Sequence, residues 1–297
     1  MPKKITVLGS INMDLVTKTD TIPKVGETVK GTSFFINPGG KGANQAIAAA
    51  KLGADISLIG CVGDDEFGNQ LLSHLAAEGV STDYIKKVSN VSTGIASITL
   101  SASDNSIIIV SGANDYITPK LVEEYENIIA QSDILLLQLE VPLLAVEKAV
   151  ELAKKHEVLV ILNPAPIQPL SENLLKSVDF LIPNEHEQKE LFKYGNSSMI
   201  AKKCITTRGS KGVSFYQNDK EVHIPSLKVD VLDTTGAGDS FNGAFAVALS
   251  EGKDTKEACH FANIVGALTV TNLGAQTGMP TRKVIQTFCK ERGIPFV

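Results

Sequence analysis

The chain has 297 residues, 43% of them hydrophobic and 21% charged, with a formal net charge of −5. This is the composition of a folded protein with a large core, and the acidic balance argues against a nucleic-acid surface. No apolar run approaches the roughly 18 residues of a membrane span, so no membrane partner is expected.

The first strand is expected at 5–8. The apolar stretch after Met1-Pro2-Lys3-Lys4 is too short for a signal peptide, and the scattered cysteines read as reduced, so a cytoplasmic location is expected. The strand runs into Gly9-Ser10-Ile11-Asn12-Met13-Asp14. Asn12 and Asp14 fall at its carboxyl end, where open α/β sheets bind ligands; taken alone, Asp14 reads equally as a turn residue. Residues 23–29 suggest a turn and an exposed strand. Asn37-Pro38-Gly39-Gly40-Lys41-Gly42-Ala43-Asn44-Gln45-Ala46 then feeds a helix of small residues ending near Gly53. The spacing is not that of a P-loop, since Gly42 stands where Ser or Thr belongs. The stretch fits a small polar ligand lying on the glycines and held by Asn44, or else a tight turn packed on the sheet.

A strand at 56–62 leads to Gly63-Asp64-Asp65-Glu66-Phe67-Gly68, whose acids read as start charges of a helix at 69–78 rather than metal ligands. Segments 94–100 and 107–110 flank Ser103-Asp104-Asn105-Ser106, a hairpin signal. With the stretch after Asp14 they form a small separate sheet, placed to act as a lid.

From residue 134 a strand–helix rhythm sets in: strand 134–139, helix 143–155, strand 158–162, helix 171–177, strand 180–182, strand 204–207, then a hairpin through Asn218-Asp219. Such alternation implies a parallel sheet covered by helices on both faces. Polar residues follow strand after strand at the same end: Asn12, Asp14, Glu140, Asn163, Asn184, Glu187, Thr207, Asp233 and Asp239. That coincidence places an active site there.

Residues 229–232 read as the end of another strand, running into Asp233-Thr234-Thr235-Gly236-Ala237-Gly238-Asp239-Ser240-Phe241-Asn242-Gly243 and a helix of small apolar residues. Gly236-Ala237-Gly238 is then a tight turn into a helix N-terminus, a ready anion site. Asp239 has two readings. It caps the helix, or it takes a proton from an attacking hydroxyl in phosphoryl transfer to an alcohol. A final helix is expected from Thr255 as cap, followed by the glycine-rich loop Thr271-Asn272-Leu273-Gly274-Ala275-Gln276-Thr277-Gly278.

These residues carry a family. Residues 39–46 and 233–243 resemble the two signatures of the ribokinase-like (PfkB) carbohydrate kinases. Gly9-Ser10-Ile11-Asn12-Met13-Asp14, Gln138-Leu139-Glu140, Leu162-Asn163-Pro164-Ala165-Pro166, Pro183-Asn184-Glu185 and Gly274-Ala275-Gln276 are similar to further family motifs in the same order. The resemblance implies a single three-layer α/β/α domain over 1–297, with a mostly parallel central sheet. It also implies a small β lid from about 14–37 and 93–111 that makes a homodimer contact. The implied reaction is ATP plus D-ribose giving ribose 5-phosphate and ADP, with Mg²⁺ required and K⁺ as activator.

Carried over by position, Asp239 resembles the base that deprotonates the sugar, and Gly236, Ala237 and Gly238 the anion hole. Asn12, Asp14, Gly40, Lys41, Asn44 and Glu140 resemble the sugar shell, with Ile98 and Ile109 packing on the sugar from the lid. Asn184, Thr207, Gly209, Gly212, Gly238 and Asn263 resemble nucleotide-site residues, and Glu187 the acid acting on magnesium through water. The potassium ligands would be Asp233, Thr235, Thr269, Asn272, Gly274 and Gly278, mostly by carbonyls. Two departures stand out: the stretch between Glu187 and Thr206 is about a helix short, and Gly278 replaces a common hydroxyl residue. Kinases of deoxyribose, fructose, a ketodeoxy sugar acid or a nucleoside are the alternatives. A dinucleotide enzyme lacks its G-x-G-x-x-G after the first strand, and a non-catalytic sugar sensor would be expected to have lost Asp239 or the glycines.

Overall fold

The computed structural model describes residues 3–101 and 105–296. In chain order it contains β1 (Lys4–Leu8), β2 (Asn12–Thr19), β3 (Gly31–Gly39), α1 (Lys41–Lys51), β4 (Asp55–Gly63), α2 (Glu66–Ala77), β5 (Val80–Ser81), β6 (Ile85–Val88), β7 (Gly94–Leu100) and β8 (Asn105–Val110). Then come α3 (Pro119–Glu124), α4 (Glu126–Ala130), β9 (Ile134–Leu137), α5 (Leu143–Lys155), β10 (Leu159–Leu162), α6 (Glu172–Ser177), β11 (Phe180–Leu181), α7 (Glu185–Leu191) and α8 (Ser197–Lys203). The chain closes with β12 (Ile205–Thr207), β13 (Val213–Gln217), β14 (Lys220–Ile224), α9 (Ala237–Ser250), α10 (Thr255–Thr269) and α11 (Arg282–Arg292).

The central sheet runs β11-β10-β9-β1-β4-β5, with β6 also on β4, and these pairings are parallel. A bridge from Leu181 to Cys204 carries it on to β12 and the antiparallel β13–β14 hairpin. Its strands are continuous apolar runs because both faces are covered. Ile5, Val7, Ile134 and Leu136 point into one core with α1, α9 and α10. Leu8, Leu135, Leu137 and Leu162 point into the other with α3, α5 and α6. Two cores about one sheet are the three layers expected.

A second sheet, β3-β2-β7-β8, stands apart. The register matches Asp14 with Ala96 and Ala96 with Ile109, so these share a face. By the two-residue alternation of a strand, Asn12 and Ile98 lie on that face too. Phe34, Ile36, Ile108 and Val110 fall on the opposite face and are exposed.

Three local expectations are corrected. Residues 229–232 form no strand: Val231 and Leu232 are exposed, and the backbone N–H groups of Leu232 and Asp233 donate to Val270 O, which lies at the end of a helix rather than in a strand. Asp254, not Thr255, caps α10, because Asp254 and Glu257 form a reciprocal capping box. The exposed strand placed at 23–29 is a turn region, and the pairing belongs to its flanks, β2 and β3. The acids at 64–66 do start a helix, with Asp65 accepting from Gly68 N. Residues 103 and 104 of the expected hairpin turn lie outside the described residues. Among the described residues no helix is long and apolar enough to cross a membrane.

Candidate active site

The first turns of α1 and α9 meet at the carboxyl end of the sheet. Gly243 allows the contact: a Cβ there would sit 2.8 Å from both Ala48 Cβ and Gln45 O. The close seam brings Asp239 against α1. Asn44 Nδ2 donates to Asp239 Oδ2 (2.9 Å) and Gln45 Nε2 donates to Oδ1 (3.0 Å). Asp239 is buried, and it is not the helix cap. That position is Gly236, in the left-handed region at φ 77°, with no side-chain capping bond. The capping reading of Asp239 therefore falls, since both carboxylate oxygens face across the seam.

Behind Asp239 lies an amide network. Gln45 Nε2 also donates to Asn163 Oδ1 (3.2 Å), Gln45 Oε1 accepts from Gln138 Nε2 (2.7 Å), and Asn163 Nδ2 donates to Ile182 O (2.8 Å). Asn44 Oδ1 accepts from Gln276 Nε2 (2.8 Å). Gln45, Gln138 and Gln276 are buried; each stands in a motif that carries the family resemblance, but the sequence assigns none of them a site role. The available signal was a glutamine inside an alanine-rich helix turn, where a buried amide must find partners.

At the helix start, Glu140 Oε2 accepts from Ser10 Oγ (2.6 Å) and Lys41 N (3.1 Å). Gly40, at φ 90°, lies against the backbone of Asn12. Asn12 Oδ1 accepts from Asn114 Nδ2 (2.7 Å), and Asn114 is a buried orienting residue the sequence did not reveal. Burial, then the charges of Glu140 and Asp239, pushes the Asp14 carboxyl up to about 7, against the opposing pull of Lys41. Burial alone would lower Lys41. The carboxylates Asp239, Glu140, Glu187 and Asp14 outweigh it and hold the ammonium above its usual range. Lys41 is thus the positive centre among four acids drawn from β2, the β9 end, α7 and α9.

The N-terminus of α9 presents the 236–238 turn. Ala237 N–H is engaged by Thr234 O (3.3 Å), while the Gly238 amide is one of those that helix geometry leaves without an intrahelical acceptor. Beyond it, Asn184 caps α7 in a capping box, its Oδ1 accepting from His186 N and Glu187 N, while Glu187 Oε2 accepts from Asn184 N. Burial raises the Glu187 carboxyl. The short stretch after Glu187 folds as α7 and α8 and delivers Thr207 to a bridge beside Asn184. Gly209 and Gly212 follow at positive φ, and Asn263 on α10 donates to Pro225 O (2.8 Å).

Asp233 ties two loops together. Its Oδ1 accepts from Thr235 N and Oγ1 (2.9 and 2.6 Å), and its Oδ2 accepts from Gly274 N (2.9 Å). Around Gly278 three carbonyl oxygens converge. A Cβ on Gly278 would sit 2.8 Å from Gly274 O, 2.9 Å from Thr269 O and 3.6 Å from Asn272 O. Such a cradle of hard oxygens suits an alkali cation. Ile98 and Ile109 are not among the residues gathered by these hydrogen bonds; the register places them on the sheet face that carries Asn12 and Asp14.

The sequence pattern described as pfkB family carbohydrate kinase matches residues 2–282. The ribokinase of Bacillus subtilis is 47% identical over 96% of this chain and 98% of its own. A deoxyribokinase of Salmonella typhi is 38% identical, covering 93% and 95%. The solved structure of Arabidopsis thaliana ribokinase complexed with ribose and ATP superposes with a TM-score of 0.89 at 35% identity, covering 98% and 99%.

Proposed function

The chain belongs to the pfkB family of carbohydrate kinases, and we propose that it transfers the γ-phosphoryl group of ATP to the 5-hydroxyl of D-ribose. It is an ATP:sugar phosphotransferase. The observation that carries the reading is the buried Asp239 carboxylate, aimed by two amides at the mouth of a helix N-terminus.

Asp239 acts as the base. Its oxygens accept one amide each, which leaves lone pairs for the sugar hydroxyl. As the hydroxyl oxygen bonds to the γ-phosphorus, its proton passes to Asp239 and the bond to the ADP oxygen breaks. Charge growing on the transferred group is met by the α9 terminus and by Lys41. Asn12 keeps its Nδ2 and Glu140 its Oε1 for sugar hydroxyls, because their other atoms are held by Asn114, Ser10 and Lys41 N. Asn44 and Asp14 complete this shell. No Arg stands in it to hold a phosphate already on the sugar, which favours a neutral sugar.

Asn184, Thr207, Gly209, Gly212 and Asn263 line the nucleotide side in this reading. Among the described residues no cluster of three or more His, Cys, Asp or Glu forms a metal cage. Mg²⁺ would therefore ride mainly on ATP phosphates and waters, with Glu187 acting through a water. Potassium would be held by the carbonyls of Thr269, Asn272 and Gly274 near Gly278, with Asp233 and Thr235 beside them. Bound there, it supplies fixed positive charge that steadies the loops joined by Asp233. The β3-β2-β7-β8 sheet is read as the lid, excluding water when closed. Its exposed outer face, with Phe34, Ile36, Ile108 and Val110, is read as the contact of a homodimer. Four buried, unpaired cysteines support a reducing, cytoplasmic setting.

The test is ADP release with ATP and Mg²⁺ across ribose, 2-deoxyribose, fructose, a ketodeoxy sugar acid and nucleosides, with and without K⁺. Preference for ribose supports the reading; preference for another sugar overturns the substrate while leaving the base in place.

A further inference from the structure

The loop that carries the cation cradle also reaches the base through a chain of amides. As a base, Asp239 can only accept, so Asn44 must present Nδ2 to it and turn Oδ1 away. Asn44 Oδ1 then faces a donor, Gln276 Nε2, at 2.8 Å. That turns Gln276 Oε1 toward His74, whose Nε2 stands 2.8 Å away and must donate. Each link has the polarity that both of its neighbours require, so a change of polarity at one end is felt at the other. The neutral His74 ring is held as its Nε2–H tautomer, and the protonated ring carries the same N–H, so the relay needs no particular charge on His74. Gln276 is 5% exposed and is clamped further where its backbone oxygen accepts from Lys51 Nζ (2.8 Å).

We propose that Gln276 is a positioning residue that sets the amide orientation of Asn44 and, through it, the aim of Asp239, joining the 271–278 loop to the catalytic base. Among the described residues, the side-chain donor to Asn44 Oδ1 is Gln276 Nε2. A flipped Asn44 would set its carbonyl oxygen against the carboxylate and repel it from the sugar hydroxyl. The proposal rests on the kinase reading above and deepens it.

The test compares Gln276→Met, which removes the donor and keeps the volume, with Gln276→Glu, which keeps the size and reverses the polarity. With Glu, Asn44 must turn Nδ2 toward residue 276 and Oδ1 toward Asp239. We expect Gln276→Met to lower kcat at saturating ribose roughly 10–100-fold with the KM for ATP within about twofold of wild type, the signature of a misaimed group, while the KM for ribose rises because Asn44 also belongs to the sugar shell. Gln276→Glu is expected to fall further. Wild-type turnover is the control: no turnover of any sugar fails the kinase reading itself, and turnover of a sugar other than ribose moves the same comparison to that sugar. With normal wild-type turnover, the proposal alone is overturned by a Gln276→Met kcat within about twofold of wild type, by a loss confined to KM, or by Gln276→Glu outpacing Gln276→Met. Should Gln276→Met yield no folded protein, Gln276→Glu is read alone by the same split of kcat from KM.

Discussion

Asn44 on α1 and Asp239 on α9 are 195 residues apart in sequence and joined by a 2.9 Å hydrogen bond. That bond depends on how closely two helices approach, and the approach depends on one missing side chain. The chemistry of the site thus rests on packing one turn farther along each helix.

Gly243→Ala tests this directly. The new Cβ would meet Ala48 Cβ and Gln45 O at 2.8 Å, closer than real contacts allow. The seam must open, at a cost of about 1–3 kcal/mol from overpacking. Thermal unfolding should show the loss, and kcat should fall while the KM for ATP stays near wild type. An unchanged melting temperature with unchanged kcat would contradict the account.

Asp14 gives a pH prediction. Its folded value of about 7 lies above the ordinary 3.8, so between those values the folded state binds the extra proton. Stability attributable to this group therefore falls as pH rises from about 4 to 7 and stays low above. Asp14→Asn should raise the melting temperature at pH 8, with the gain vanishing toward pH 4, and should abolish sugar binding. A gain of equal size at both pH values would refute the burial argument.

The cation cradle makes a separate claim. Gly278→Ala places a methyl against the carbonyls of Thr269 and Gly274. Wild-type protein should melt at a higher temperature in KCl than in LiCl at equal ionic strength, and the variant should lose that difference. A variant that keeps it would show that the ion binds elsewhere.

The outer sheet face is tested by Ile108→Glu. Ile108 is exposed and lies on the face opposite Asn12 and Asp14. Light scattering should report a dimer for wild type and a monomer for the variant. A variant dimer as tight as wild type would rule this face out as the contact.

Much of this was legible in the sequence for a physical reason. Strands buried on both faces are continuous apolar runs, and the polar residues ending them mark the ligand edge, as with β9 before Gln138 and β10 before Asn163. The reading failed where local pattern had no tertiary partner. Residues 229–232 have strand-like side chains, but among the described residues no strand pairs with them. It also failed at the amides. Nothing local says that Gln276 bonds Asn44, 232 residues away, or that Asn114 orients Asn12, 102 residues away. Residue type names a donor, and only the fold names its acceptor.

The most direct measurement is the turnover of Asp239→Asn beside its ribose affinity by calorimetry. The account predicts a fall in kcat of roughly 10²-fold or more, within the range of a lost general base, with ribose still bound. A variant retaining more than about a tenth of the wild-type rate would contradict the assignment of Asp239 as the base.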